Sequence, residues 1–325
     1  MRAPEFWKTG QGGASAILLS PPSWIYGLVG NLRRSLSKPW QPPVPVICVG
    51  NVVAGGAGKT PVALDLAGRL QANGKSVSFL SRGYGGSETG PHHVDGKMDR
   101  ADQVGDEPLL LCRQASTWVS RDRVKGAEAA SESTDVIIMD DGYQNPSLIK
   151  AGSFLVIDGR YGFGNGHLIP AGPLRESPQK ALKRADGVII MGNDEAGLAA
   201  TISGMFPNLP LLHTKVIPGP EIDNLGSKQI IAFAGIGQPD KFFRTLVDAG
   251  CNVASTRPFP DHHSYSMTDM DHLKTLAAKN DGMLVTTEKD MVRIPKDQRS
   301  GIEVLTITLQ WEDEVVLNSL LDRLL

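Results

Sequence analysis

Short, largely apolar runs recur along the chain, four closed by glycine or an acidic residue and one by Ser81. They fall at 44–49, 77–80, 136–139, 154–157 and 188–191. Runs of this length read as strands buried on both faces of a parallel sheet. After the first run, Val62, Leu66 and Leu70 recur at helical spacing, which predicts a helix packed on that sheet. The texture changes at Phe206-Pro207, Leu209-Pro210 and Pro218-Gly219-Pro220. Beyond it a second alternating set begins, with strands at 230–234, 253–256, 283–286 and 302–309. Helices are expected at 239–249 and 268–279, and an amphipathic tail at 313–324 closes the chain. Strands alternating with helices predict an α/β fold in two units, a larger one over 43–220 and a smaller one over 221–325.

The first 42 residues stand apart. Apolar residues at 16–19 meet Pro21-Pro22, after which Trp24, Ile25, Leu28, Val29, Leu32 and Leu36 recur at helical spacing. Arg2, Lys8, Arg33, Arg34 and Lys38 face only Glu5 in charge, and Tyr26 and Trp40 lie nearby. The broken apolar run lacks a small-residue cleavage site, unlike a signal peptide. Two readings stay open: a helix lying in a membrane interface, or one packed on the core of the next unit.

The strongest chemical signal is Gly50-Asn51-Val52-Val53-Ala54-Gly55-Gly56-Ala57-Gly58-Lys59-Thr60-Pro61. Strand, glycine loop, Lys-Thr and helix together form a cradle for nucleotide phosphates. The loop Val53, Ala54, Gly55, Gly56, Ala57 and Gly58 presents backbone N–H groups, Lys59 reaches the β/γ-phosphates, and Thr60 is placed to ligate Mg²⁺. Val53 stands where the strict pattern has glycine. The fold class expected is therefore a P-loop NTPase-type, mostly parallel sheet with helices on both faces, plus the smaller α/β unit.

Other candidates cluster at expected strand ends. The run at 136–139 leads into Asp140-Asp141-Gly142-Tyr143-Gln144, the place where a phosphate-loop enzyme keeps its second metal ligand. Arg82 and Tyr84 follow a strand, where a phosphate contact and a sugar or base contact compete with an ordinary turn. Asp106 and Glu107 open a helix expected to run on to 114, as caps or as base and metal groups. Arg175-Glu176 ends a Gly/Pro-rich loop and reads as a phosphate contact or a surface pair. His92 and His93 fall in an expected loop, with no role assigned. Asp261-His262-His263 and Thr287-Glu288-Lys289-Asp290 stand out in the smaller unit, while Gly235-Ile236-Gly237 lacks a third glycine for dinucleotide binding.

With 33 Lys+Arg against 35 Asp+Glu, no basic field suggests nucleic acid. Cys48, Cys112 and Cys251 are too scattered for a metal-type pair and read as reduced thiols. No segment reaches the roughly 20 apolar residues of a membrane span.

Taken in order, the phosphate loop, Ser81-Arg82-Gly83-Tyr84-Gly85, Val104-Gly105-Asp106-Glu107-Pro108, Asp140-Asp141-Gly142-Tyr143-Gln144, Pro170-Ala171-Gly172-Pro173-Leu174-Arg175-Glu176, Phe259-Pro260-Asp261-His262-His263 and Thr287-Glu288-Lys289-Asp290 resemble the tetraacyldisaccharide 4'-kinase family. The resemblance implies ATP- and Mg²⁺-dependent phosphorylation of the 4'-hydroxyl of an acylated glucosamine disaccharide 1-phosphate, in lipid A synthesis. It implies a peripheral protein, expected as a monomer, on the cytoplasmic face of the bacterial inner membrane through the N-terminal helix. Asp106 is carried over as the base, with His262 as partner. Lys59 neutralises charge on the transferred phosphoryl, and Thr60, Asp140 and Asp141 manage Mg²⁺. Gln144, Arg175 and Glu176 are further phosphate and metal candidates. One departure is Asn145, where the family often has His. The rival classes are a membrane-peripheral NTPase switch and a soluble kinase or ligase for a small polar metabolite.

Overall fold

A computed structural model describes residues 4–8, 10, 12–226 and 228–325; Arg2, counted above among the basic residues, lies outside them. The chain is α/β. Among the described residues its strands are, in chain order, β1 Val46–Gly50, β2 Val77–Ser81, β3 His92–His93, β4 Ser116–Val119, β5 Val136–Asp140, β6 Gly152–Asp158, β7 Gly187–Met191, β8 Leu211–Pro218, β9 Gln229–Ala234, β10 Val253–Pro258, β11 Gly282–Thr287, β12 Ile302–Leu305 and β13 Ile307–Trp311.

Nine of them form the large sheet, in the order β13-β8-β7-β6-β1-β5-β2-β4-β3, and four form a smaller one, β10-β9-β11-β12. All pairs are parallel except the two edges of the large sheet, β3 on β4 and β13 on β8. Alternation fixes which side chain goes where. Ile47, Val49, Val136, Ile138, Phe154 and Val156 enter the core on one face, with Val62, Leu66 and Leu70 of the helix α2 (Lys59–Ala72). Val46, Cys48, Ile137, Met139, Leu155 and Ile157 enter the core on the other. The small sheet repeats the device: Ile231 and Phe233 pack under the helix Met267–Lys279, and Ile230, Ala232 and Ala234 under the helix Pro239–Asp248.

Three expectations change. The run at 302–309 is two strands, because Thr306 lies between the sheets. Its carbonyl accepts the Gly219 N–H at 2.8 Å and its hydroxyl donates to Glu221 at 2.7 Å. The chain thus leaves the large sheet after Pro218 and re-enters it at Ile307, and Leu317, Leu320 and Leu321 of the last helix join the large core. Between the prolines near 210 lies an eight-residue strand, β8. His92 and His93 form a short edge strand, with His92 Nε2 at 2.7 Å from Asp99.

The N-terminal helix α1, Gly13–Leu36, runs unbroken through Pro21 and Pro22. Those prolines withdraw the N–H groups that would meet the Ile17 and Leu18 carbonyls, on residues that are exposed. Its packed stripe is made of small residues. Ala16 and Ser23 are buried; the Ser23 hydroxyl donates to the Leu168 carbonyl at 2.9 Å and accepts the Ala171 N–H at 3.0 Å. A Cβ on Gly27 would stand 2.7 Å from Leu168. The large apolar side chains point the other way, with Trp24 71% and Leu28 68% exposed.

Candidate active site

β1 ends at Gly50, where a Cβ would sit 2.5 Å from that of Tyr143, so only glycine lets the neighbouring strand-end turn approach. The loop then crosses to α2, whose N-terminus is capped by Gly58 in the left-handed region at φ +86°. Its first half is stitched to the 168–175 loop. Val53 bridges Leu174, Ala54 N–H donates to the Pro173 carbonyl at 2.8 Å, and Arg175 N–H donates to the Val52 carbonyl at 2.7 Å. That pairing accounts for valine in place of glycine: Val53 is a buried side chain here, not a phosphate-facing one. Gly55, Gly56 and Ala57 complete the turn before Lys59.

Parallel register places β5 beside this loop, Val49 opposite Asp140, and the Asp141 N–H donates to the Val49 carbonyl at 2.9 Å. Thr60 Oγ1 therefore donates to Asp140 Oδ2 at 3.1 Å. Lys59 Nζ stands 3.6 Å from Asp141, and Arg175 binds the same carboxylate at 3.0 and 3.2 Å. Asp141 holds φ +52°, an uncommon backbone for a residue with a side chain. Burial pushes the Asp140 carboxyl up to about 7, helped by Glu107 and Asp141 and opposed by Lys59. Burial pushes Asp141 up as well, but Lys59 and Arg175 outweigh it and hold it below the usual carboxylate range.

Asp106 opens the helix Asp106–Leu111 and is buried. The smaller unit brings His262 Nδ1 to 3.0 Å from Asp106 Oδ2, across 156 positions of sequence. Glu107 donates its N–H to Asp106 Oδ1 at 3.0 Å, and its carboxylate accepts from Lys289 at 2.9 Å. Burial raises the Asp106 pKa, but the His262 hydrogen bond and the charges of Lys289 and Arg293 prevail and lower it. The Asp106 hydrogen bond in turn raises the His262 imidazole against its partial burial. The exposed Tyr84 ring lies 5.5 Å from the His262 ring.

Two candidates are engaged elsewhere. Glu176, expected among the metal groups, gives both carboxylate oxygens to arginines: Arg34 at 2.9 Å, Arg184 at 2.8 and 3.0 Å. Gln144 joins it at 3.2 Å and donates to the Asn51 carbonyl at 2.7 Å, so it braces the start of the loop. Asn145 turns inward on its own segment, its Oδ1 accepting from Ser147. Three residues without a sequence signal also bear on the site. Lys150 donates to the Gly142 and Tyr143 carbonyls behind the acidic turn. Arg293 reaches Asp106, and Lys241 pairs with Asp158 between the two sheets.

A glycine-lined strand-to-helix turn, with Lys-Thr at the helix start and paired acids on the adjacent parallel strand, defines a phosphate-loop α/β protein. Residues 15–325 match the family described as tetraacyldisaccharide-1-P 4'-kinase. The chain belongs to the tetraacyldisaccharide 4'-kinase family and is a phosphotransferase acting on an alcohol group. It is 48% identical over 327 residues to the tetraacyldisaccharide 4'-kinase of Paramagnetospirillum magneticum, covering 100% of this chain and 99% of that one. It is 45% identical over 330 residues to that of Rhodospirillum centenum, covering 100% and 97%. A crystal structure of LpxK from Aquifex aeolicus in complex with ATP is similar at TM-score 0.74 and 29% identity, covering 95% of this chain and 99% of that one.

Proposed function

We propose that this chain transfers the γ-phosphate of ATP to the 4'-hydroxyl of a tetraacyldisaccharide 1-phosphate, with Asp106 as the base and His262 as its partner. The observation that carries this reading is the 3.0 Å contact between Asp106 of the larger unit and His262 of the smaller one. The ATP complex of the Aquifex relative supports the choice of nucleotide. Loop N–H groups and Lys59 hold the triphosphate, and Lys59 offsets the charge that develops on the phosphoryl group. The sugar oxygen attacks the γ-phosphorus, its proton passes to Asp106, and the bond to the bridging oxygen of ADP breaks. His262 aims the Asp106 lone pair and balances its charge.

Asp140 and Thr60 are the groups suited to Mg²⁺. Asp140 Oδ1 is buried with no hydrogen-bond partner, and Thr60 Oγ1 lies beside the other oxygen. When bound, the ion would neutralise the β/γ-phosphate oxygens. Asp141 is held by Lys59 and Arg175 and orients both; Glu176 is left out of this metal set.

Closure of the smaller unit over the loop completes the dyad and excludes water. The outward face of α1 supports a site of action on a lipid surface, the cytoplasmic side of the inner membrane, where an acylated substrate resides. Among the described residues no helix is long and apolar enough to cross a membrane.

The test is labelled ATP with acylated disaccharide phosphate in detergent, for wild type, Asp106→Asn, His262→Ala and the double variant. Turnover should fall at least about a hundredfold in Asp106→Asn with ATP affinity kept, and the double variant should be little worse than either single one. Strictly multiplicative losses would break the dyad, and hydrolysis with no label in lipid would favour a switch.

A further inference from the structure

Behind the Asp106–His262 pair lies a buried guanidinium. Arg293 follows the short helix Glu288–Met291 of the smaller unit, and its side chain is 3% exposed. Its Nε stands 3.3 Å from Asp106 Oδ2 and donates to the Lys289 carbonyl at 3.0 Å. Nη1 donates to the Gly235 carbonyl at 2.7 Å, and Nη2 lies 3.3 Å from Asp290 Oδ1 with no well-formed hydrogen bond. Asp290 is fully buried and anchored: it accepts from Gly235 N–H and Tyr265 Oη at 2.7 Å each, and from Thr287 Oγ1 at 2.6 Å. One arginine, fixed rigidly in the smaller unit, is therefore divided between a carboxylate of that unit and Asp106 of the larger. A buried charge is tolerated only when paired, so each carboxylate constrains it.

We infer that Arg293 is a positioning residue that sets the Asp106 carboxylate against His262 only when the two units meet, so that closure itself assembles the base. The inference rests on Asp106 being the base. Apart, Asp106 would keep the Glu107 N–H but lose both Arg293 and His262, while Arg293 would keep Asp290. The charged groups facing Asp106 are His262, Arg293 and Lys289, with Glu107 engaging Lys289 and with Asp261 3.9 Å from the far nitrogen of His262. Removing the guanidinium takes away a cation that favours the carboxylate. The pH above which the base is ready then rises.

The experiment measures phosphorylation of tetraacyldisaccharide 1-phosphate in detergent micelles for Arg293→Met, Arg293→Lys and Asp106→Asn across pH. Arg293→Met should lower kcat at least about tenfold with KM for ATP within twofold, and the acidic limb of the profile should move to higher pH. Arg293→Lys, which keeps charge but not the fork, should restore the limb while kcat stays at least threefold down. An unmoved limb in Arg293→Met overturns the inference. Should that variant fail to fold, Arg293→Lys decides: wild-type kcat there overturns it, and a loss in kcat alone supports it. Wild-type turnover in Asp106→Asn would instead remove the assignment of the base, a separately recognisable failure.

Discussion

Replacing Asp140 by asparagine should stabilise the nucleotide-free protein while removing its activity. The carboxyl is buried and pushed from 3.8 to about 7, first by burial and then by Glu107 and Asp141. Holding it ionised in the fold above that pH costs about 4 kcal/mol. Asparagine carries no charge, and its amide oxygen still accepts from Thr60. Its nitrogen, placed where Oδ1 has no partner, offsets about 2 kcal/mol as an unsatisfied donor. The net gain of about 2 kcal/mol corresponds to a rise in Tm of about 3 °C for a chain of this length. The sign follows from the raised pKa. Above about 7 the native state must hold an ionised group that the unfolded chain ionises freely, so the gain is complete there. It shrinks as pH falls toward 3.8, where both states are protonated. Differential scanning calorimetry at pH 8 and pH 5 without nucleotide or magnesium reads this directly. A lower Tm for the variant at pH 8, or the same shift at both pH values, would refute the reasoning.

Two further outcomes test other parts of the molecule. Leu28→Asp or Leu32→Asp on the outward face of α1 should weaken partition to anionic vesicles at least about tenfold each, with Tm unchanged; unaltered sedimentation with vesicles would count against a lipid-facing helix. Gly58→Ala forces a Cβ into the left-handed cap at φ +86°, at a cost of about 1–2 kcal/mol. It should lower both thermal stability and ATP affinity, and a silent substitution in equilibrium binding would show that the cap geometry is not needed.

The centre of the large sheet was legible because β1, β5 and β6 are buried on both faces and write continuous apolar runs. β8 was hidden by prolines at its flanks, which suggest a linker when tertiary pairing is unseen. The break at Thr306 was equally hidden, since an apolar stretch carries no mark of the point where it changes partner. In α1 the sequence showed an apolar face but not its direction. Direction depends on Ala16, Ser23 and Gly27, small residues whose stripe becomes meaningful only once Leu168 is placed against it. At the site, Lys59, Thr60, Asp140 and Asp141 were adjacent by motif and strand order. Asp106 and His262 are linked by tertiary structure alone, and their pairing was suggested by the family resemblance. The arginine partners of Glu176 were hidden because Arg34 and Arg184 lie 142 and 8 positions away in unremarkable contexts. Arg293 gave no signal: a single arginine after a short helix looks like a solvated surface residue.

In the closure proposed above, the crossing at Thr306 would limit how the smaller sheet travels. Its chain departs through β8 and comes back through β13, and these strands are zipped to each other from Pro218 opposite Ile307 to Thr214 opposite Trp311. Two antiparallel tethers that share one ladder act like the leaves of a door hinge. They permit swinging about a single line and resist sliding or twisting away. In the proposed closure His262 would travel a narrow arc toward Asp106, its alignment set largely by the backbone.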